Sequence, residues 1–211
     1  MDEYQERLAH EKQLFDENIC VHDLPEIFHY WSEKYLRPRL NGVGYNNIED
    51  FFVQEIARTP RQPGCALRIA SVGCGDCAFE IRVANGLLAR GIGDFTVLCL
   101  DISDVALDRG RGYASDAGVA SHFEMVPHDF NQGLPDGVFD AVMANQSLHH
   151  VLELERLYSA ISRQLATGGL FPRLRHDRAQ RAHALAGGAN TGGRGVEMDA
   201  KGLSIQPPAA A

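Results

Sequence analysis

Between Leu67 and Ala78 the chain reads L-R-I-A-S-V-G-C-G-D-C-A, an apolar strand broken at Gly73 and Gly75 and followed at once by a helical run. Leu67, Ile69 and Val72 supply the strand, and Ile81, Ala84, Leu87 and Leu88 fall at helical spacing. A strand, a glycine turn and a helix in that order place backbone N–H groups and a positive helix end against a ligand. A side chain at either glycine would hold that ligand away from the backbone. The stretch reads as a small-molecule site.

The remaining segments fall around it. Phe95 to Leu100 reads as a second strand stopping at Asp101, with a helix through Val105 and Leu107 behind it. Phe123 to Val126 makes a short third strand ending at His128, Asp129 and Phe130, and Phe139 to Ala144 a fourth. Leu154, Leu157, Tyr158, Ile161 and Leu165 mark an amphipathic helix closed by Gly168 and Gly169, so a fifth strand is expected to open at Leu170. Strands alternating with helices predict an α/β fold with a doubly wound, mostly parallel sheet. Residues 61–170 form this core, and residues 1–60 read as a helical cap outside the sheet. In the cap, Tyr4, Leu8, Phe15 and Ile19 share one helical face and Asp23 marks a helix start. Ile27, Phe28, Trp31 and Tyr35 form an aromatic stripe, which either packs within the cap or closes over a substrate through Trp31 or Tyr35. Asn47 is placed to cap a third helix through Phe51, Phe52 and Ile56.

Composition narrows the function. A net charge of −8 argues against a nucleic-acid surface and a basic membrane patch. No apolar run approaches the ~20 residues that cross a bilayer. Five cysteines behind an acidic M-D-E-Y-Q-E-R start read as reduced thiols in a cytoplasmic protein. Oligomeric state is not legible.

Ligands of open α/β sheets bind beyond the carboxyl ends of the strands. Gly73, Gly75, Asp76, Asp101, Asp129 and Asn145 all stand at such ends. G-C-G-D-C-A fits the G-x-G-x-x-A pattern of a dinucleotide site, which would make the chain an NAD-dependent oxidoreductase. Asp101, however, lies beyond the roughly 20-residue spacing of that pattern, and Asp76 would set a carboxylate against a doubly negative pyrophosphate. S-adenosylmethionine suits the acids better: its sulfonium and ammonium are cationic, and its carboxylate can take the helix N-terminus. Asp101 would then accept from both ribose hydroxyls.

With V-G-C-G-D-C, L-D-I, H-D-F and D-A-V-M-A-N-Q-S-L-H-H-V at four successive strand ends, the chain resembles the class I S-adenosylmethionine-dependent methyltransferases, of Rossmann-like fold, from about Leu67 to Leu170. The resemblance implies that Gly73, Cys74, Gly75 and Asp76 hold the methionine part of the cofactor and Asp101 its ribose. It implies that Ile102 packs on the adenine, Asp129 binds the adenine amino group beside the Phe130 backbone, and Asn145 lies under the methionine end. The helical segment before the core is similar to the cap these enzymes place over a small-molecule acceptor. Two positions depart from the family: Ser71 stands where an acid precedes the first glycine, and Cys77 where the third glycine would be. Asp76 can substitute in part for the first.

His149 and His150 are the candidates for chemistry, since an imidazole near the transferred methyl can take the proton of an acceptor hydroxyl or amine. The other reading has one of them packing or capping the next helix. Cys74 and Cys77 form a single C-x-x-C pair within the glycine turn, and no metal site is expected there. After Phe171 the composition turns to Ala, Gly and Arg without aromatics, so residues 171–211 are expected to be disordered, with the C-terminal strands missing. Read one base later, the codons from Arg173 onwards can spell V-S-D-M-I-G-R-N-G-H-M-R-W-P-E-A, so an out-of-frame tail is the second expectation. A truncated sheet would leave an unprotected edge, and with it the alternative of a non-catalytic remnant that only binds cofactor.

Overall fold

The computed structural model describes residues 3–17, 26–60, 64–174, 194–199 and 202–206. Its centre is a sheet of strands β1 (Leu67–Val72), β2 (Phe95–Asp101), β3 (Phe123–Pro127), β4 (Phe139–Asn145), β5 (Leu165–Leu174), β6 (Arg194–Asp199) and β7 (Gly202–Gln206). The order is β3-β2-β1-β4-β5-β6-β7, parallel throughout except for β7, which runs antiparallel to β6. The chain order reverses between β1 and β4. That is the switch point at which such sheets bind ligands.

Two-residue periodicity sends alternate side chains to opposite faces. Leu67, Ile69, Val97, Cys99, Ala141 and Met143 bury one face under helices α4 (Ile48–Ala57) and α5 (Ala78–Ala89), with Leu107 from α6 (Asp104–Asp116) joining them. Ala70, Val72, Leu98, Leu100, Val142 and Ala144 bury the other face against Phe130 and against Leu157 and Ile161 of α7 (Leu154–Gln164). Both faces are therefore covered, and the doubly wound α/β fold expected from the sequence is present.

Asn47 caps α4 as its side chain implies, its Oδ1 accepting the Asp50 N–H at 2.7 Å. This helix is part of the main core: Phe51 and Phe52 are fully buried, and the Phe52 ring meets that of Phe79 on α5 edge-on at 5.1 Å. Burial of each such ring contributes about 2–3 kcal/mol. The earlier helices α1 (Glu3–Glu17), α2 (Glu26–Trp31) and α3 (Arg37–Gly42) precede it, with a π-helical turn over Ser32–Leu36 joining the last two. Trp31, just before that turn, and Tyr35, within it, have ring centroids 6.1 Å apart and are both exposed, so they do not serve as core. Asp23, read as a helix start, lies outside the described residues.

Two expectations change. Helix α7 stops at Gln164 rather than at the glycine pair, because β5 already pairs with β4 at Leu165↔Phe139. The register then shifts before Leu170↔Ala141, and Gly168, at φ +78, takes up the irregularity that only glycine adopts freely. The sheet also does not lack its C-terminal strands. Phe171 to Leu174 continue β5, and the short runs R-G-V-E-M-D and G-L-S-I-Q form β6 and β7. Val196, Met198, Leu203 and Ile205 carry a weak alternation that the surrounding glycine-rich composition masks. Residues 175–193, over most of which the out-of-frame reading runs, lie outside the described residues.

Candidate functional site

The glycine turn is pinned to β2 from both sides. Gly73 N–H donates to the Leu100 carbonyl at 2.8 Å, and Gly75 N–H to Oδ2 of Asp101 at 2.8 Å. The other carboxylate oxygen of Asp101 accepts from Ser103 N–H at 3.0 Å, with the Ile102 amide also directed at the carboxylate, which still keeps acceptor capacity for a further donor. Burial pushes the Asp101 carboxyl up, and the amides of Ser103 and Gly75 pull it down without cancelling that rise. Gly75, at φ +55, faces open space, whereas Gly73, at φ +68, packs directly on Ser147. Ile102, half-buried, follows Asp101 at the same strand end.

Asp76 is engaged locally: its Oδ1 accepts from Ala78 N–H at 3.2 Å at the start of α5. Ser71, two residues before the first glycine of the turn, is buried and donates to Oε1 of Glu80 at 2.7 Å. An acid thus does lie behind the first glycine, reached from the helix rather than the strand. Burial pushes Glu80 up to about 8, the nearby Cys77 charge adding to it.

Beyond β3, Asp129 opens a single helical turn, Phe130–Gln132, and accepts from Asn131 N–H at 3.0 Å. Phe130 is buried against the glycine turn. Oδ2 of Asp129 also accepts the Tyr4 hydroxyl of α1 at 2.5 Å. The same helix reaches the end of β2 through Asp16, which accepts from the Ser103 hydroxyl, and Lys12, which pairs with Asp104 at 2.7 Å. Burial raises the Asp129 carboxyl, but hydrogen bonds from Tyr4, Asn131 and Gln132 outweigh it and hold it below the ordinary 3.8. The sign is that of a paired carboxylate: this contact helps to dock α1 above about pH 4, and the help is lost as pH falls through the lowered value. Replacing Tyr4 with Phe is expected to move Asp129 back upward, which a carboxyl-carbon NMR titration of the two proteins reads directly.

Asn131 was not singled out from sequence. It is buried, and its Oδ1 accepts from the amides of Leu152 and Glu153 at 2.7 and 3.2 Å, tying the turn after β3 to the start of α7. Asn131→Ala is expected to cost about 1–2 kcal/mol and to lower the melting temperature by roughly 2–8 °C, measured by thermal denaturation.

At the end of β4, Asn145 is half-buried and its Oδ1 meets no donor among the described residues. The chain leaves it through Gln146 at φ 59, and Ser147 returns a hydrogen bond to the Val72 carbonyl at 2.5 Å. His149 and His150 occupy the one-turn helix Leu148–His150 that follows, their rings 3.9 Å apart; His149 is exposed and His150 half-buried. The structure thus gathers Gly73, Cys74, Gly75, Asp101 and Asn145 at the switch point. Asp129 and Phe130 flank them at the end of β3, and the two histidines stand one turn beyond β4.

The cysteine pair gains a third member. Cys99, on β2, meets Cys74 and Cys77, and the three sulfurs all lie within 4.8 Å of one another, each buried. The thiols of Cys74 and Cys99 hold Cys77 down, to about 5, while burial pushes those two thiols up. Strand register alone brings Cys99 there, since it pairs with Ser71. A hydrophobic pattern does not reveal that neighbour.

A cation-bearing nucleotide fits this arrangement. The turn is open at Gly75, buried acceptors stand at Asp101 and Asn145, and three acids line the strand ends.

Residues 70–172 match the family described as a methyltransferase domain. A sterol 24-C-methyltransferase of Yarrowia lipolytica is 36% identical over 114 residues, covering 52% of this chain and 27% of that protein. A trans-aconitate 2-methyltransferase of Streptomyces coelicolor is 29% identical over 118 residues, covering 56% of this chain and 37% of that protein. The matched stretch therefore spans well under half of either relative. Among solved structures, an S-adenosylmethionine-dependent methyltransferase of Clostridium acetobutylicum superposes with TM-score 0.48 at 16% identity, covering 69% of this chain and 55% of that one. No described helix is long and apolar enough to cross a membrane.

Proposed function

We propose that the class I methyltransferase domain carried by residues 70–172 binds S-adenosylmethionine and passes its methyl group to a small-molecule acceptor. The observation that carries this reading is the pair Gly75–Asp101: an open glycine turn whose amide orients a buried carboxylate with acceptor capacity to spare. Asp101 takes the ribose hydroxyls, Ile102 and Phe130 flank the adenine, and Asp129 accepts its amino group in place of the Gln132 side chain. Gly73, Cys74, Gly75 and Asp76 cradle the methionine part, where the orphaned Oδ1 of Asn145 accepts from the ammonium. When bound, the cofactor supplies a methyl on a sulfonium, an electrophile that needs in-line approach more than it needs acid–base help. His149 or His150, beyond β4, takes the acceptor's proton. Charge again separates the two nucleotide readings, because Asp76 beside the turn opposes a pyrophosphate.

Sterols and trans-aconitate are acceptors in the names of the relatives, and both belong in the first panel. The four free cysteines among the described residues support a cytoplasmic setting. The test is formation of S-adenosylhomocysteine from S-adenosylmethionine by the full chain over a panel of sterols, polycarboxylates and small phenols. Acceptor-dependent product supports the proposal; cofactor binding without product from any acceptor favours the remnant reading.

A further inference from the structure

Three thiols meet beneath the glycine turn, and nothing in the methyl-transfer reading uses their sulfurs. Cys74 and Cys77 come from the turn and Cys99 from β2, with exposures of 6%, 0% and 0%. Their sulfurs lie within 4.8 Å of one another. A zinc–sulfur bond of about 2.3 Å sets the sulfurs around one ion roughly 3.8 Å apart, so a small contraction closes the set on a metal. Cys77 sits at φ 58, a left-handed conformation that strains a non-glycine residue. Gly110 on α6 leaves room for its sulfur, since a Cβ there would stand 3.2 Å from Sγ. Oε2 of Glu80, buried in the first turn of α5, has no partner among the described residues. The positive end of α5, which starts at the residue after Cys77, offsets the charge of the thiolates.

We propose that Cys74, Cys77 and Cys99 bind a single thiophilic d10 cation, Zn²⁺ or Cu⁺, that clips the glycine turn to β2. Binding displaces the thiol protons to solvent and forms three metal–sulfur bonds, with no change of oxidation state. Cys74 belongs both to this cluster, through its sulfur, and to the proposed cofactor cradle, through its place in the turn, and the metal test needs neither cofactor nor acceptor.

Reduced full-length protein, stripped with a chelator, is titrated with Co²⁺. A thiolate-to-cobalt charge-transfer band saturating at one ion per chain is expected, followed by its displacement on adding Zn²⁺ or Cu⁺ in separate arms, which identifies the preferred ion. Cys99→Ser is expected to abolish the band, and Cys65→Ser, at an exposed cysteine outside the cluster, to leave it intact. Zinc is also expected to raise the melting temperature of the wild-type protein and not of Cys99→Ser. No saturable band in the wild type overturns the proposal, whatever the variants do. So does a band unchanged in Cys99→Ser or lost in Cys65→Ser. If circular dichroism shows Cys99→Ser unfolded, Cys74→Ser takes its place with the same two outcomes.

Discussion

Asp101→Asn is expected to weaken S-adenosylmethionine binding by roughly 30- to 1,000-fold. In the native protein the two oxygens of Asp101 hold the Gly75 and Ser103 amides at 2.8 and 3.0 Å and keep charged acceptor capacity for a further donor. An amide side chain turns one of those oxygens into a donor. Either Gly75 N–H then faces an N–H group, or a ribose hydroxyl loses its charged acceptor. Each charge-assisted hydrogen bond is worth about 1.5–3 kcal/mol, and a loss of about 2–4 kcal/mol, from one strong bond to two weaker ones, gives the stated range. Titration calorimetry on both proteins measures it, with thermal denaturation reporting any loss of fold alongside. An affinity within about threefold of the wild type would remove Asp101 from the site.

The second large effect is on stability. Gly73→Ala would set a Cβ 2.5 Å from the Ser147 Cβ at a backbone φ of +68. Ser147 cannot withdraw freely, since its hydroxyl is bonded to the Val72 carbonyl. Overpacking of about 1–3 kcal/mol adds to a left-handed strain of about 1–2, so a loss of roughly 2–5 kcal/mol and a melting temperature lower by roughly 10 °C are expected. Adding Ser147→Gly removes the clash and leaves the strain, so the double variant should recover part of the loss. Gly75→Ala, at φ +55 with nothing within 4 Å, is the control: only strain applies to the fold, and its cost falls on ligand approach.

Strand β1, the glycine turn and α5 were legible because three local signals agree there: an apolar run, two glycines at the break, and helical spacing after it. The acids at the strand ends followed from where each apolar run stopped. Contacts made across the sheet were not legible. Cys99 reads as one more apolar residue of β2, and only its pairing beside Ser71 brings it to the two cysteines of the turn. Asn131 looks like a loop residue until the start of α7 is packed against it. The hydroxyl of Tyr4 finds Asp129 across 125 residues, a separation at which no periodicity carries information. The glycine pair at 168–169 misled for a physical reason: a helix stop and a strand irregularity call for the same positive φ.

The most direct measurement is titration calorimetry of the full chain with S-adenosylmethionine, with NAD run under the same conditions. A saturable heat for one S-adenosylmethionine per chain, abolished or sharply weakened in Asp101→Asn and absent with NAD, is the expected result. No saturable heat with S-adenosylmethionine up to millimolar ligand, or equal binding of NAD, would contradict the assignment of the glycine turn and Asp101 to this cofactor.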